Sequence, residues 1–137
     1  MRVRDLMTAK PITVDPDTPM LQARQRMAEE RIRHLVVVDD ARVVGIVTDR
    51  DIRLNLPSPA TSLSVWELNY LLSRLTVGGV MSAAVIVVDP DRPIAEAARL
   101  MLDHKIGALP VVDEGRLIGI VTESDFVRAM AGMARGA

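Results

Sequence analysis

Short runs of β-branched residues alternate along the chain with Ala-, Met- and Arg-rich stretches, a pattern of strands interleaved with helices. Leu35–Val38 and Val43–Val47, separated by Asp39–Arg42, read as a β-hairpin. Ile94, Ala97, Ala98, Met101 and Leu102 follow the i, i+3, i+4, i+7, i+8 spacing of one buried helical face. Met20, Ala23 and Met27 make the equivalent stripe nearer the N-terminus. Pro19 and Pro93 stand at the starts of these helices, where a missing N–H costs nothing. Extended segments, Ile12–Val14 and Ile86–Val88, precede them across an Asp-Pro-Asp turn. Further helices are expected from about Asp49 and Glu123.

The pattern occurs twice. An offset of 74 residues lays Val3–Arg53 on Val77–Val127 without a gap, and 22 of the 51 pairs are identical. Val14–Asp17 falls on Val88–Asp91, and Gly45–Thr48 on Gly119–Thr122. Each copy is β-α-β-β-α. A unit of about 50 residues buries little of its surface and is marginal alone. The expected fold is therefore α/β (α+β): two tandem repeats packed sheet to sheet about a pseudo-two-fold axis, with a cleft between equivalent surfaces. The expected boundaries are 1–56 and 77–137 for the repeats and 57–76 for a connector.

The connector carries its own helix signals. Pro57-Ser58-Pro59 breaks the chain, and Ser64-Val65-Trp66-Glu67 is a capping-box string. Val65, Leu68, Leu71, Leu72 and Leu75 form an apolar face, with Trp66 and Tyr70 four residues apart on a neighbouring one. This helix either packs over the repeats or presents its aromatics to a partner. The Gly/Ala-rich end, Ala129–Ala137, is expected to fray.

Composition narrows the function. Of the 137 residues 49% are hydrophobic, yet Trp66, Tyr70 and Phe126 are the only aromatics, so the core must be aliphatic. A net charge of -1 argues against nucleic-acid binding. No cysteine is present, which excludes disulfides and thiolate chemistry. No apolar run reaches bilayer length and Met1–Asp5 is not a signal peptide, so a cytoplasmic protein without membrane contact is the default. No nucleophile triad, His-rich metal spacing or phosphate loop supports an enzyme. The paired acids Asp39-Asp40 and Asp113-Glu114 sit at hairpin turns, where they are either solvated or a weak Mg²⁺ site; no metal site is assigned.

The chemistry-bearing string is Gly45-Ile-Val-Thr48-Asp-Arg50-Asp51, repeated as Gly119-Ile-Val-Thr122-Glu-Ser124-Asp125. It sets a glycine in a strand, a hydroxyl at a helix start and a carboxylate three residues on. The glycines permit close approach of a ligand or second chain. The helix start attracts anions, and the carboxylate can accept two hydrogen bonds from a ribose diol. Alternatively, Thr-x-x-Asp is a capping box in which each residue satisfies the other's backbone.

Two complete copies of this layout resemble a tandem pair of CBS domains, the Bateman module. Val3–Met7 and Val77–Met81, His34–Asp39, Ala108–Asp113 and the two Gly-x-x-Thr-x-x-Asp strings carry the resemblance. The connector Leu56–Leu68 is similar to that of stand-alone bacterial CBS proteins of the acetoin-utilisation type, which often add an ACT domain; the chain ends at Ala137 without one, so the acetoin association is not carried over. The resemblance implies a regulatory module without catalysis or required cofactor, binding AMP, ADP or ATP, or S-adenosylmethionine in some members, in the cleft expected between the two repeats. It implies ribose contacts at Asp51 and Asp125 and hydroxyl contacts at Thr48 and Thr122. It implies pocket walls from Ile12, Thr13, Val14 and His34, and from Ile86, Val88, Ala108 and Pro110. It also implies a homodimer and a regulated partner protein. A ligand-free pair serving dimerisation or protein interaction is the other reading.

The copies are not equivalent. Lys10, Arg33, His34 and Arg50 align with Ala84, Gly107, Ala108 and Ser124. Either these are solvated charges, or they give the first site a preference for di- or triphosphates and leave the second for a less charged adenosine ligand or empty.

Overall fold

The computed structural model describes residues 1–58 and 61–134. Pro59 of the connector break and residues 135–137 of the tail expected to fray lie outside them. In chain order the elements are α1 (Val3–Leu6), β1 (Thr8–Ala9), β2 (Thr13–Val14), α2 (Met20–Glu30), β3 (His34–Asp39), β4 (Arg42–Thr48), α3 (Asp49–Leu54), α4 (Val65–Arg74), α5 (Val77–Val80), α6 (Ile94–His104), β5 (Ala108–Asp113), β6 (Arg116–Thr122) and α7 (Glu123–Ala134). The chain divides into two compact units. The first is Ile12–Val85; the second combines Met1–Pro11 with the chain from Ile86.

In the first unit β2 runs parallel to β3, and β3 antiparallel to β4. Ser82 then bridges Ile46 on the far edge, with reciprocal N–H···O bonds of 2.9 and 3.0 Å. The core holds Met20, Ala23, Met27, Leu35, Val37, Val47, Ile52 and Val77. The stripe expected of α2 is thus all buried. The second unit repeats the plan with the order β1-β6-β5, and Val88 bridges Val111 in place of a full parallel strand. Its core holds Val3, Val88, Ala97, Met101, Leu109, Val111 and Val121.

A short hook completes each sheet, and it comes from the other repeat in sequence. Residues 76–82 pack on the first sheet: Val77 N–H donates to Thr18 O at 2.8 Å, and Gly78 N–H to Pro16 O at 2.8 Å. Residues 1–9 pack on the second, with Val3 N–H donating to Arg92 O at 2.9 Å. Val3 and Val77 are fully buried. Such burial stabilises by roughly 1.5–3 kcal/mol each. In the second unit only, Arg4 Nη2 adds a 2.7 Å bond to Asp91 Oδ1.

The hooks explain the strand glycines. A Cβ on Gly119 would sit 2.6 Å from Met7 Sδ and 3.0 Å from Thr8 O; one on Gly45 would meet Met81 Sδ and Ser82 O. The close approach expected of a ligand or second chain is made by the protein's own hook.

Three other expectations are corrected. Leu102 is exposed, and Leu100 packs against the core instead. Helix α7 continues to Ala134, so residues 129–134 are helical rather than frayed. On α4, Val65 and Leu71 are exposed and Leu72 and Leu75 meet the core, a narrower seam than expected. The Ser64–Glu67 box forms, with Glu67 N–H donating to Ser64 Oγ at 3.2 Å.

Both hairpins turn through two residues with positive φ: Asp40 (51°) and Ala41 (64°), and Glu114 (49°) and Gly115 (80°). Glycine takes this conformation freely and alanine does not. Ala41→Gly is expected to raise unfolding stability by about 1 kcal/mol and Gly115→Ala to lower it similarly. Urea denaturation of both variants is the check. Gly119→Ala is expected to destabilise by about 1–3 kcal/mol through overpacking. Adding Met7→Ala should recover part of that loss in a double-mutant cycle, and strict additivity would refute the contact.

Candidate functional site

Strand β4 delivers Thr48 to the start of α3, and the helix returns Asp51 to it one turn later. Thr48 N–H donates to Asp51 Oδ2 at 2.9 Å, and Asp51 N–H donates to Thr48 Oγ1 at 3.1 Å. The capping alternative is therefore real, but it consumes little of the carboxylate. Asp51 is half-buried, and its Oδ1 makes no hydrogen bond among the described residues. The Thr48 hydroxyl accepts in this arrangement, which leaves its proton available.

The second box is built differently. Asp125 Oδ2 accepts from Thr122 N–H at 2.8 Å and from Thr122 Oγ1 at 3.2 Å. Its Oδ1 accepts from Arg128 Nη2 at 2.7 Å and, at 3.5 Å, from Thr8 Oγ1. Asp125 is the one charged or polar residue buried among the described residues.

The remaining expected residues fall into three groups. Strand register sets His34 opposite Thr48 and Ala108 opposite Thr122, so each wall residue borders its own box. Ala108, Pro110 and Val88 are buried, and Pro110 O accepts the Val88 N–H at 3.0 Å. Val88 is part of the second core, whereas Ile12, Val14 and Ile86 are half-buried at the core edges. Thr13, Arg50 and Ser124 are exposed. Arg33 is exposed, and its carbonyl accepts the Asp49 N–H at 3.0 Å. Lys10 belongs to the second unit, its N–H reaching Ile118 O at 3.4 Å, while Arg33, His34 and Arg50 belong to the first.

An open groove of ≈ 740 Å³ in the first unit contains Thr13 and Val14, along with Gln22, Gln25, Arg26 and Glu29 of α2 and Asp40 and Ala41 of the turn. None of His34, Thr48, Arg50 or Asp51 lines it. Asp39-Asp40 and Asp113-Glu114 form no metal-holding group among the described residues. No helix among them is long and apolar enough to cross a membrane.

Sequence reasoning missed Thr8 and Arg128. Thr8 is placed by the hook, which no local pattern reveals. Arg128 does carry a signal: it lies one helical turn beyond Asp125, where the first repeat has Leu54.

The CBS domain family model matches residues 3–58 and 77–132, and the chain belongs to that family. Solved structures agree over nearly the whole chain. The putative acetoin utilization protein AcuB from Vibrio cholerae is 32% identical with a TM-score of 0.80, covering 98% of this chain and 93% of that one. CBSX2 in complex with AMP is 34% identical, TM-score 0.77, covering 97% and 98%. The CBS domain pair of protein MJ0100, in complex with 5-methylthioadenosine and S-adenosyl-L-methionine, is 28% identical, TM-score 0.79, covering 97% and 98%. The chain is thus a tandem CBS pair. It also matches a homoserine O-acetyltransferase from Methanococcoides burtonii at 39% identity, but spans only 23% of that enzyme.

Thr48→Val removes the acceptor for Asp51 N–H without removing bulk. It is expected to lower stability by about 1 kcal/mol, the usual value of an N-cap. Thermal unfolding measures it, and an unchanged midpoint would show the box to be energetically idle.

Proposed function

We propose that the chain is a regulatory, non-catalytic ligand sensor that binds an adenosine nucleotide, AMP, ADP or ATP, through the Thr48–Asp51 box of its first repeat. The repeats are taken as 1–56 and 77–137, with 57–76 as connector. The observation that carries the reading is the half-buried Asp51 carboxylate with Oδ1 uncommitted among the described residues. A ribose diol supplies the two donors that such a carboxylate lacks. Relatives solved with AMP, and with 5-methylthioadenosine and S-adenosyl-L-methionine, support an adenosine ligand.

Arg50 lies between the two box residues, is exposed and makes no ion pair among the described residues. A guanidinium so placed grips phosphate oxygens bidentately. This favours di- and triphosphates at the first site. Signalling requires that the ligand bind one state of the module better than another, because equal affinity shifts nothing. A homodimer and a regulated partner complete the proposal, with cytoplasmic location.

One alternative has its own observation. Each box closes on itself, Thr48 N–H donating to Asp51 and Thr122 N–H to Asp125, and Trp66 and Tyr70 stand 84% and 60% exposed on α4. These features fit a ligand-free module for dimerisation or protein interaction.

Thermal-shift measurements with AMP, ATP, NAD and S-adenosylmethionine separate the two. A ligand bound only by the folded state stabilises by about 2.7 kcal/mol at a hundredfold excess over Kd. AMP and ATP are expected to raise the midpoint, and no shift with any of the four would favour the ligand-free module. Calorimetry should show Asp51→Ala weakening AMP at least tenfold and Arg50→Ala weakening ATP more than AMP. Equal loss for both nucleotides, or none, would remove the phosphate argument.

A further inference from the structure

We infer that Arg128 closes the Thr122–Asp125 box and silences the second repeat as a ligand site, an inference that rests on the nucleotide reading of the first box. An ionised carboxylate offers about four lone-pair positions. At Asp125 four donors fill them: Thr122 N–H and Oγ1 on Oδ2, and Arg128 Nη2 and the longer Thr8 Oγ1 contact on Oδ1. At Asp51 one donor, Thr48 N–H, is engaged among the described residues. The Thr122 hydroxyl is spent as well, since it donates to the carboxylate, whereas the Thr48 hydroxyl accepts.

Burial separates the two boxes in the same direction. The Asp125 side chain is 5% exposed, while the Arg128 side chain that covers it is 70% exposed. The position equivalent to Arg128 is Leu54, 71% exposed and unable to donate a hydrogen bond. Arg128 thus occupies the carboxylate with a cation that a ribose would have to displace. A diol is neutral and exchanges poorly for a charge-assisted bond.

The test is calorimetric titration with AMP of the full chain in four forms: unsubstituted, Asp51→Ala, Arg128→Leu and the double variant. The unsubstituted chain should bind one equivalent, weakened at least tenfold by Asp51→Ala. Arg128→Leu should bind two equivalents, and the double variant should regain one. Two equivalents on the unsubstituted chain, one equivalent of undiminished affinity after Asp51→Ala, or no second equivalent after Arg128→Leu would overturn the closure while leaving nucleotide binding standing. No heat from any of the four would overturn both. Arg128→Ala serves as the second variant if circular dichroism shows the leucine form misfolded.

Discussion

Backbone pairing between a hook and a glycine-bearing strand is the constraint on which each unit depends. Thr8 and Ala9 oppose Ile120 and Gly119, and Ser82 opposes Ile46. The pairing closes a sheet edge that would otherwise expose unpaired N–H and C=O groups. It also seats a methionine sulfur over the glycine, where no side chain fits. The hook starts from a fully buried valine, Val3 or Val77, that ties it to the core. Because the chain reaches Thr8 by this route, its hydroxyl arrives beside Asp125. One packing constraint thereby helps determine the chemistry of a box more than a hundred residues away in sequence.

The hooks matter because the units are small and their cores aliphatic. With about 40% of the surface of so small a unit left exposed, each buried valine or methionine is a large share of the total. Surface charge contributes less. Arg4 and Asp91 hold each other's charged forms, the hydrogen bond between them raising the arginine pKa and lowering the carboxylate pKa. Such a depressed carboxylate stabilises the folded state above its unfolded pKa, and the effect is lost as pH falls through the folded value. Both groups lie in solvent, so the pair secures the hook's position more than its energy. The first unit has Gly78 where the second has Arg4, and makes the equivalent backbone bonds without the ion pair.

Much of this was legible in the sequence, because repetition and periodicity report on burial. The stripe of Met20, Ala23 and Met27, the hairpins and the Ser64–Glu67 cap all follow from local spacing. Leu102 misled because a helical stripe can be drawn through it or through Leu100 with nearly the same angle; packing decides between them. The hooks were illegible for a different reason. Val3–Met7 and Val77–Met81 are recognisable as equivalent, but equivalence does not say which sheet each will join. The Thr-x-x-Asp boxes were nameable from the string, yet the other donors that reach them were not. Hydrogen-bond partners such as Thr8 and Arg128 depend on tertiary placement and on a single non-repeated side chain.

That last point bears on how duplicated sites diverge. Each repeat keeps Thr and Asp, and a comparison of motifs alone would score the boxes as equal. Each also carries an arginine near its box, but at different places. In the first repeat it is Arg50, inside the string, exposed and outside any ion pair among the described residues. In the second it is Arg128, one turn after the carboxylate and bonded to it. A cation before the carboxylate in the helix remains available to an incoming anion. A cation after it is captured by the carboxylate itself, since residues three apart on a helix face each other. Moving one positive charge by a single turn is enough to convert an open acceptor into a neutralised one, without altering either motif residue.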